Sequence, residues 1–117
     1  MNEPIEVLVL KTLEKALPAP VSAELPPEPP ATFYVLDKLS DRETEHIRDA
    51  SFALQTYAPT KLAAARLSAA AAQLTPEALI MLDEIARVEL ENEYPFADTR
   101  TKSYRYQAVF NITYYGS

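Results

Sequence analysis

Apolar residues at helical spacing open the chain, and a proline-rich segment follows them. The apolar positions recur every three or four residues, which predicts a helix capped by Asn2 with Pro4 in its first turn. Pro18 ends that helix. Six of the ten prolines lie in residues 18–30, so this stretch is predicted to be a stiff connector that permits at most an edge strand at 21–25. The apolar side of the helix consists of Ile5, Leu8, Val9, Leu13 and Leu17.

Two strands of a hairpin are predicted next. Residues 32–39 are rich in branched and aromatic side chains, and residues 47–57 alternate between apolar and polar positions, which is typical of paired strands. A charged turn at residues 40–46 joins them and is predicted to project into water. The stretch 37–48 is therefore a candidate contact for a partner protein. The core face of the second strand consists of Ala50, Phe52, Leu54 and Thr56, and the charged tip consists of Asp41, Arg42, Glu43, Glu45 and His46.

Alanine dominates the next predicted helix. Seven alanines in residues 61–74 give strong helix propensity and permit a close approach to a sheet. Thr75 and Pro76 are typical of a new helix start, so a second, short helix is predicted at 76–85. From Ala86 the pattern changes to period two, which predicts a half-buried strand. The helical stripe consists of Ala63, Leu67, Ala70, Ala71 and Leu74, and the apolar strand face consists of Ala86, Val88 and Leu90.

The closing stretch TRTKSYRYQAVFNITYY, residues 99–115, holds five of the eleven aromatic residues of the chain. Its alternation predicts a strand from Tyr104 to Tyr115. At about 3.4 Å per residue this strand reaches roughly 40 Å, whereas a domain of this size has a diameter near ~35 Å. The strand is therefore predicted to overhang its domain and to need cover from a neighbouring subunit. The alternative is a central strand covered by the chain's own helices.

Together these elements predict an α+β fold. The expected architecture is a mostly antiparallel sheet of four to five strands, with the N-terminal helix and the alanine-rich helix packed on one face. The chain has 117 residues, of which 48% are hydrophobic, and this length suits a single domain over residues 1–117.

Charge and composition narrow the possible functions. The net charge of −6 favours solubility and argues against stable binding to nucleic acid. The chain has no cysteine, which excludes disulfides and thiolate chemistry. Charged residues interrupt the apolar residues near the N-terminus, and no basic region precedes them, so neither a signal peptide nor a membrane span is predicted. The protein is expected to be made in the cytoplasm.

No group of residues in the sequence is typical of catalysis or of metal binding. His46 is the one histidine, and it is interpreted as an exposed turn residue, since a metal site needs three or four converging ligands. Glu89, Glu91 and Glu93 are predicted to share one strand face, which is interpreted as solvated or as meeting basic residues of a neighbour. A single glycine excludes a glycine-rich phosphate loop. We predict no enzyme activity and no cofactor.

Two stretches of the chain resemble a family of phage proteins. ALQTYAPTKLAAARL from Ala53 and YPFADTRTKSYRYQAVFNITYY from Tyr94 are similar to tail-terminator or tail-completion (head-tail joining) proteins of long-tailed bacteriophages and prophages. The resemblance implies a helix-on-sheet fold whose copies close into a ring, commonly a hexamer, on the end of the tail tube. It also implies a place in the virion, with the tail tube protein and head-tail connector proteins as partners.

Contact residues for such a ring are inferred from the clustering of aromatic and charged side chains. Two alternatives remain open: a head-closure or adaptor protein on the portal side, and a small cytoplasmic binding module. The predicted contacts in the closing stretch are Thr99, Arg100, Lys102, Tyr104, Arg105, Tyr106, Tyr114 and Tyr115, and those at the hairpin tip are Arg42, Glu43 and His46.

Overall fold

The computed structural model describes residues 4–95 and 104–115, and these residues form helices packed on a single five-stranded sheet. This arrangement confirms the predicted α+β fold. In chain order the elements are α1 (Ile5–Ala16), β1 (Val21–Ser22), β2 (Phe33–Thr44), β3 (Ile47–Ala58), α2 (Lys61–Leu79), β4 (Ile85–Pro95) and β5 (Tyr104–Tyr115).

The sheet is mostly antiparallel, with the strand order β1-β2-β3-β5-β4. Only β1 pairs in parallel, through Val21 beside Tyr34, which confirms a short edge strand within the proline-rich connector. The backbone amide of Tyr34 also donates to the carbonyl of Pro20, the residue before β1, at 2.8 Å. Because β1 has two residues, it pairs with only the beginning of β2.

The core lies between the helices and one face of the sheet. Helix α1 buries Ile5, Val9 and Leu13 there, as its apolar spacing predicts. The hydroxyl of Tyr34 crosses the core and donates to the carbonyl of Leu67 in α2 at 2.7 Å. The predicted core face of β3 is confirmed. The strand residues of the core include Leu36, Ala50, Phe52, Leu54, Ala108, Phe110, Ile112 and Tyr114.

Strand β5 does not overhang the molecule, and this corrects the prediction from its length. All of β5 from Tyr104 to Tyr115 pairs with β3, and residues 106–114 pair with β4 on the other side. The molecule itself is elongated, with extents of 45 × 25 × 23 Å, because β2 and β3 are as long as β5. The backbone edges of β5 are therefore covered within one copy.

Helix α1 ends as predicted but begins differently. Pro4 is its N-cap residue, without a side-chain capping hydrogen bond, whereas the sequence placed Pro4 in the first turn. The predicted cap, Asn2, lies outside the described residues. At the other end Leu17 leaves the helix with an extended backbone, because Pro18 disfavours a helical conformation in the residue before it.

Helix α2 is continuous through Pro76, so the prediction of a separate helix at 76–85 was wrong. Thr60 caps α2 by accepting a hydrogen bond from the amide of Ala63. Pro76 lies inside the helix, and the amide of Ile80 still donates to its carbonyl at 3.0 Å. Of the predicted stripe, Ala71 is buried, and Leu67 and Leu74 are partly buried against the core. The fully buried residues of α2 are Ala64, Ser68, Ala71, Thr75 and Leu79.

Three register shifts in the strands change which side chains face the helices. A β-bulge inserts one residue, so the alternation of faces is inverted beyond it. One bulge lies at Leu39 in β2, and two lie at Ala86 and Glu91 in β4. The bulge at Ala86 leaves that residue exposed, although its alternation with Val88 predicted a core position.

The hairpin turn between β2 and β3 is tighter than predicted. The strands continue until Thr44 pairs with Ile47, which leaves two residues for the turn. Glu45 and His46 both have positive φ values, 50° and 71°, as a type I′ turn requires. The predicted seven-residue charged turn is therefore mostly paired strand.

Candidate functional site

The predicted contact residues separate into two groups at opposite ends of the sheet. At one end, Ala58 pairs with Tyr104 and α2 begins three residues after Ala58; we name this the Tyr104 end. At the other end, Ile47 pairs with Tyr115, whose amide donates to the carbonyl of Glu84 at 3.0 Å; we name this the turn end. Thr99, Arg100 and Lys102 lie outside the described residues.

At the turn end, most of the predicted contact residues are exposed. The side chain of Arg42 is 79% exposed and lies 4.0 Å from Asp49, and Glu43 and His46 are exposed. Tyr115 is 62% exposed. Tyr114 is an exception, because only 6% of it is exposed, so we remove it from the predicted contact surface.

At the Tyr104 end, the predicted contact residues differ in exposure. Tyr104 is 49% exposed, whereas Arg105 and Tyr106 are half-buried. The Arg105 guanidinium lies over the ring of Tyr57 and donates to its hydroxyl at 2.9 Å. Tyr57 in turn stacks on Phe33 with ring centroids 4.6 Å apart. Arg105 therefore belongs to an aromatic cluster on the sheet face opposite the helices.

A chain of hydrogen bonds extends from this cluster across the open face, which is the sheet face opposite the helices. Tyr57 donates to Gln55, the amide of Gln55 donates to Gln107 at 3.2 Å, and Gln107 donates to the hydroxyl of Tyr94 at 2.7 Å. These cross-strand pairs connect β3, β5 and β4. They fix the side chains of the open face in one arrangement.

Further toward the turn end, the open face forms a polar groove with a volume of about 500 Å³. Most of the polar groups that line it bind one another. Ser51 donates to Asn111 at 2.5 Å, Asn111 donates to Glu91, and Thr113 donates to Asp49 at 2.7 Å. A ligand in this groove would have to displace these pairs. We therefore interpret the groove as a ladder of cross-strand side-chain contacts and not as a ligand site.

The acidic residues of β4 do not share one face, which corrects the sequence prediction. Glu89 forms an ion pair with Arg87, and Glu91 accepts from Asn111 on the open face. Beyond the bulge at Glu91, Glu93 lies on the helix side of the sheet and accepts a hydrogen bond from Ser68 in α2 at 2.5 Å.

Asp41 is the centre of a polar cluster at the rim of the core. Its carboxylate accepts from Arg48 at 2.8 Å, from Lys38 at 3.3 Å and from the hydroxyl of Tyr114 at 3.0 Å. Lys38 also forms an ion pair with Glu6 of α1 at 3.2 Å. The cluster joins α1 to β2, β3 and β5. Asp41 has a side chain that is 15% exposed, so the prediction that it projects into water was wrong.

The pKa values of Tyr114, Tyr34 and Lys38 are raised by their surroundings. Burial, followed by the hydrogen bond to Asp41, raises the pKa of Tyr114 to about 12. Burial also raises the pKa of Tyr34 to about 12. For Lys38, burial lowers the pKa, but the hydrogen bonds and charges of Glu6 and Asp41 outweigh it and leave the pKa above its ordinary value.

The sequence alone gave no signal for the Asp41 cluster. Lys38 and Asp41 are three residues apart, and on a regular strand such residues lie on opposite faces. The bulge at Leu39 brings them to the same face. The carboxylate of Asp41, which was predicted to be solvated, therefore accepts hydrogen bonds from side chains of three strands, β2, β3 and β5.

Within residues 4–95 and 104–115, no group of three or more histidine, aspartate or glutamate side chains is arranged to hold a metal ion. In the same part of the chain, no helix is both long and apolar enough to cross a membrane. No protein-family model matches the sequence, and a search of curated proteins finds no match either.

Proposed function

We propose that the chain is a structural virion protein, a tail terminator that caps the tail tube as a ring and forms the joining surface for the head. The proposal combines the resemblance of the second half of the chain with the surface of the fold. It assigns the protein to the end of the tail in the virion. Its proposed partners are other copies of the chain, which close into a ring, together with the tail tube protein and head-tail connector proteins.

The observation that carries this proposal is the exposure of β5 at both of its ends. Tyr104 is 49% exposed and Tyr115 is 62% exposed, while the strand between them contributes Phe110 and Ile112 to the core. Tyrosine is enriched at protein interfaces because it combines a large apolar area with a polar tip. The sequence predicted that the whole strand needs a neighbouring subunit to cover it. In the fold, this expectation is limited to the two ends of the strand.

The two ends of the strand also favour a ring over a symmetric dimer. Tyr104 and Tyr115 are separated by the length of an elongated molecule, so one copy can contact two different neighbours. A contact between two different surfaces is heterologous, and its repetition about an axis closes a ring when the rotation permits.

The proposal can be tested with tail tubes that have polymerised without length control. The purified protein is added to these tubes, and capping is measured by negative-stain electron microscopy and by co-sedimentation. The expected result is a ring on one end of each tube and bound protein in a fixed ratio to tube ends. Multi-angle light scattering of the free protein over a range of concentrations shows whether the ring forms without the tube.

Two results would overturn the terminator role. The first is a protein that neither binds nor caps the tubes at any concentration. The second is binding to isolated portal or connector assemblies in preference to tubes, which would favour the adaptor alternative.

A further inference from the structure

The two ends of the molecule differ in charge, and both carry exposed hydrophobic side chains. Nine large hydrophobic residues are exposed among those that the structure describes, and six of them lie at the ends. The turn end carries Ile47, Ile80, Met81 and Tyr115, and the Tyr104 end carries Leu62 and Tyr104.

The turn end is acidic. Glu43 and Glu45 lie at the hairpin turn, and Asp83 and Glu84 lie in the connection from α2 to β4 that meets Tyr115. All four are exposed, and their carboxylates have no hydrogen-bond or ion-pair partner within the described part of the chain. The nearby arginines do not cancel them, because Arg42, Arg48 and Arg87 are paired with Asp49, Asp41 and Glu89, respectively. Lys11 and Lys15 of α1 lie beside Leu82 of this connection, and the four carboxylates outnumber them.

The Tyr104 end is basic on the side formed by α2. Lys61 and Arg66 are exposed in the first two turns of α2, and they have no side-chain partner within the described residues. Arg105 also lies at this end, but it is held against Tyr57 and is not counted among the unpaired cations. The connector that leads into β2 at this end carries the acids Glu24 and Glu28, so the basic surface is confined to α2.

From this distribution we infer that copies of the chain associate end to end, with the acidic turn end of one copy against the basic Tyr104 end of the next. Unpaired charges of opposite sign meet, and exposed Ile47 and Met81 are covered by Leu62 and Tyr104. This inference rests on the proposed ring and names the surfaces that form it. Complementary charge at both ends also selects a single orientation, since two like ends repel.

The size of the ends sets the strength of the contact. The two shorter extents of the molecule, 25 and 23 Å, limit each end to a small contact, at the low end of the sizes of protein–protein interfaces. A single contact is therefore weak and sensitive to salt. Closure of the ring, or support from the tail tube, multiplies such contacts and makes the assembly stable.

The test is a charge swap measured by sedimentation velocity at low and high salt. Lys61→Glu with Arg66→Glu makes both ends acidic, and Glu43→Lys with Glu45→Lys makes the turn end neutral, because the two lysines offset Asp83 and Glu84. Each double variant alone is expected to raise the apparent dissociation constant by about tenfold or more, because the first places like charges against each other and the second removes the attraction. An equimolar mixture of the two double variants is expected to recover the association. The matched control, Lys11→Glu with Lys15→Glu, makes the same change in net charge as the first double variant, at α1 residues that lie beside Ala78 and Leu82 and that the inferred contact does not use.

Circular dichroism melts of every variant separate loss of association from loss of fold. The inference is overturned if folded end variants associate like the wild type, if the mixture does not recover association, or if the α1 control is equally impaired. Rings that form on tubes regardless of these charges would refute the end-to-end contact and leave the terminator proposal intact. A wild-type protein that remains monomeric both free and with tubes would overturn both.

Discussion

Tyr34 and Tyr114 are buried phenols whose hydrogen bonds require the protonated form. Tyr34 donates to the carbonyl of Leu67, and Tyr114 donates to Asp41. Their pKa values are raised from 10.0 to about 12. Between these values the unfolded chain has released both protons while the folded chain retains them. Their contribution to stability is therefore complete below the unfolded pKa and is lost as the pH rises through this window.

The free energy of unfolding is accordingly expected to fall as the pH rises from 10.0 to about 12. Urea titrations at intervals across this range measure it. The double variant Tyr34→Phe with Tyr114→Phe is expected to be less stable at neutral pH and to depend less steeply on pH in the window. A wild-type protein with the same pH dependence as this variant would contradict the assignment.

Thr75 buries a hydroxyl that forms no hydrogen bond among the described residues. Thr75 is 1% exposed, so it is shielded from bulk solvent, and a buried unpaired hydroxyl costs about 1–3 kcal/mol. Thr75→Val is expected to stabilise the protein by about 1 kcal/mol, measured by urea unfolding. Ser68→Ala is the control, because Ser68 lies on the same helix face and donates to Glu93; it is expected to destabilise. A less stable valine variant would show that the hydroxyl of Thr75 has a favourable interaction.

At the scale of elements, the turn between β2 and β3 places two unfavourable residues in a left-handed conformation. Glu45 and His46 have φ values of 50° and 71°, where a side chain with a Cβ atom costs about 1–2 kcal/mol and Asn-Gly is preferred. The double substitution Glu45→Asn with His46→Gly is expected to raise the free energy of unfolding by about 1 kcal/mol. Thermal and urea unfolding both measure this change.

The control for the turn is His46→Ala. Alanine keeps a Cβ atom and is tolerated less well than histidine at positive φ, so this variant is expected to be no more stable than the wild type. Equal stabilisation by the alanine variant would show that loss of the imidazole, rather than relief of the backbone, is responsible.

The alternation of side chains predicted the strands correctly wherever the strands are regular. The faces of β3 and β5 were predicted because Phe52, Leu54, Phe110 and Ile112 keep strict period two. The prediction failed at Ala86, which is itself a bulge, and beyond the bulges at Leu39 and Glu91, where one extra residue inverts the faces and moves Glu93 to the helix side. Neither a glycine nor another local signal marks these bulges, so the errors at Asp41, Ala86 and Glu93 have one cause.

The helical prediction failed for a different physical reason. Thr75 followed by Pro76 is a typical helix start, but Thr75 and Leu79 pack in the core as the last buried positions of α2. A helix that continues through Pro76 buries Leu79 against the sheet, and this tertiary contact outweighs the local preference. The candidate contacts were found by clustering, yet sequence alone could not show that they divide between two ends.

The whole molecule shows why the length of β5 was misread. The prediction compared the length of β5 with the diameter of a spherical domain. The molecule extends 45 Å along its longest axis, which accommodates a strand of that length. Three strands of this sheet, β2, β3 and β5, each have 12 residues, and they lengthen the molecule together. In the proposed assembly, a neighbour would cover the two ends, so mutations there are expected to affect assembly and not the fold.

Neighbouring tyrosines at the turn end test this separation. Tyr114 is 6% exposed and Tyr115 is 62% exposed. Tyr114→Ala removes a buried ring and its hydrogen bond to Asp41, so it is expected to lower the free energy of unfolding by about 3 kcal/mol or more. Tyr115→Ala is expected to change it by less than about 0.5 kcal/mol and to weaken tube capping in the co-sedimentation assay. Intact capping by the folded Tyr115 variant would exclude the turn end from the subunit contact, because its most exposed tyrosine would then contribute nothing.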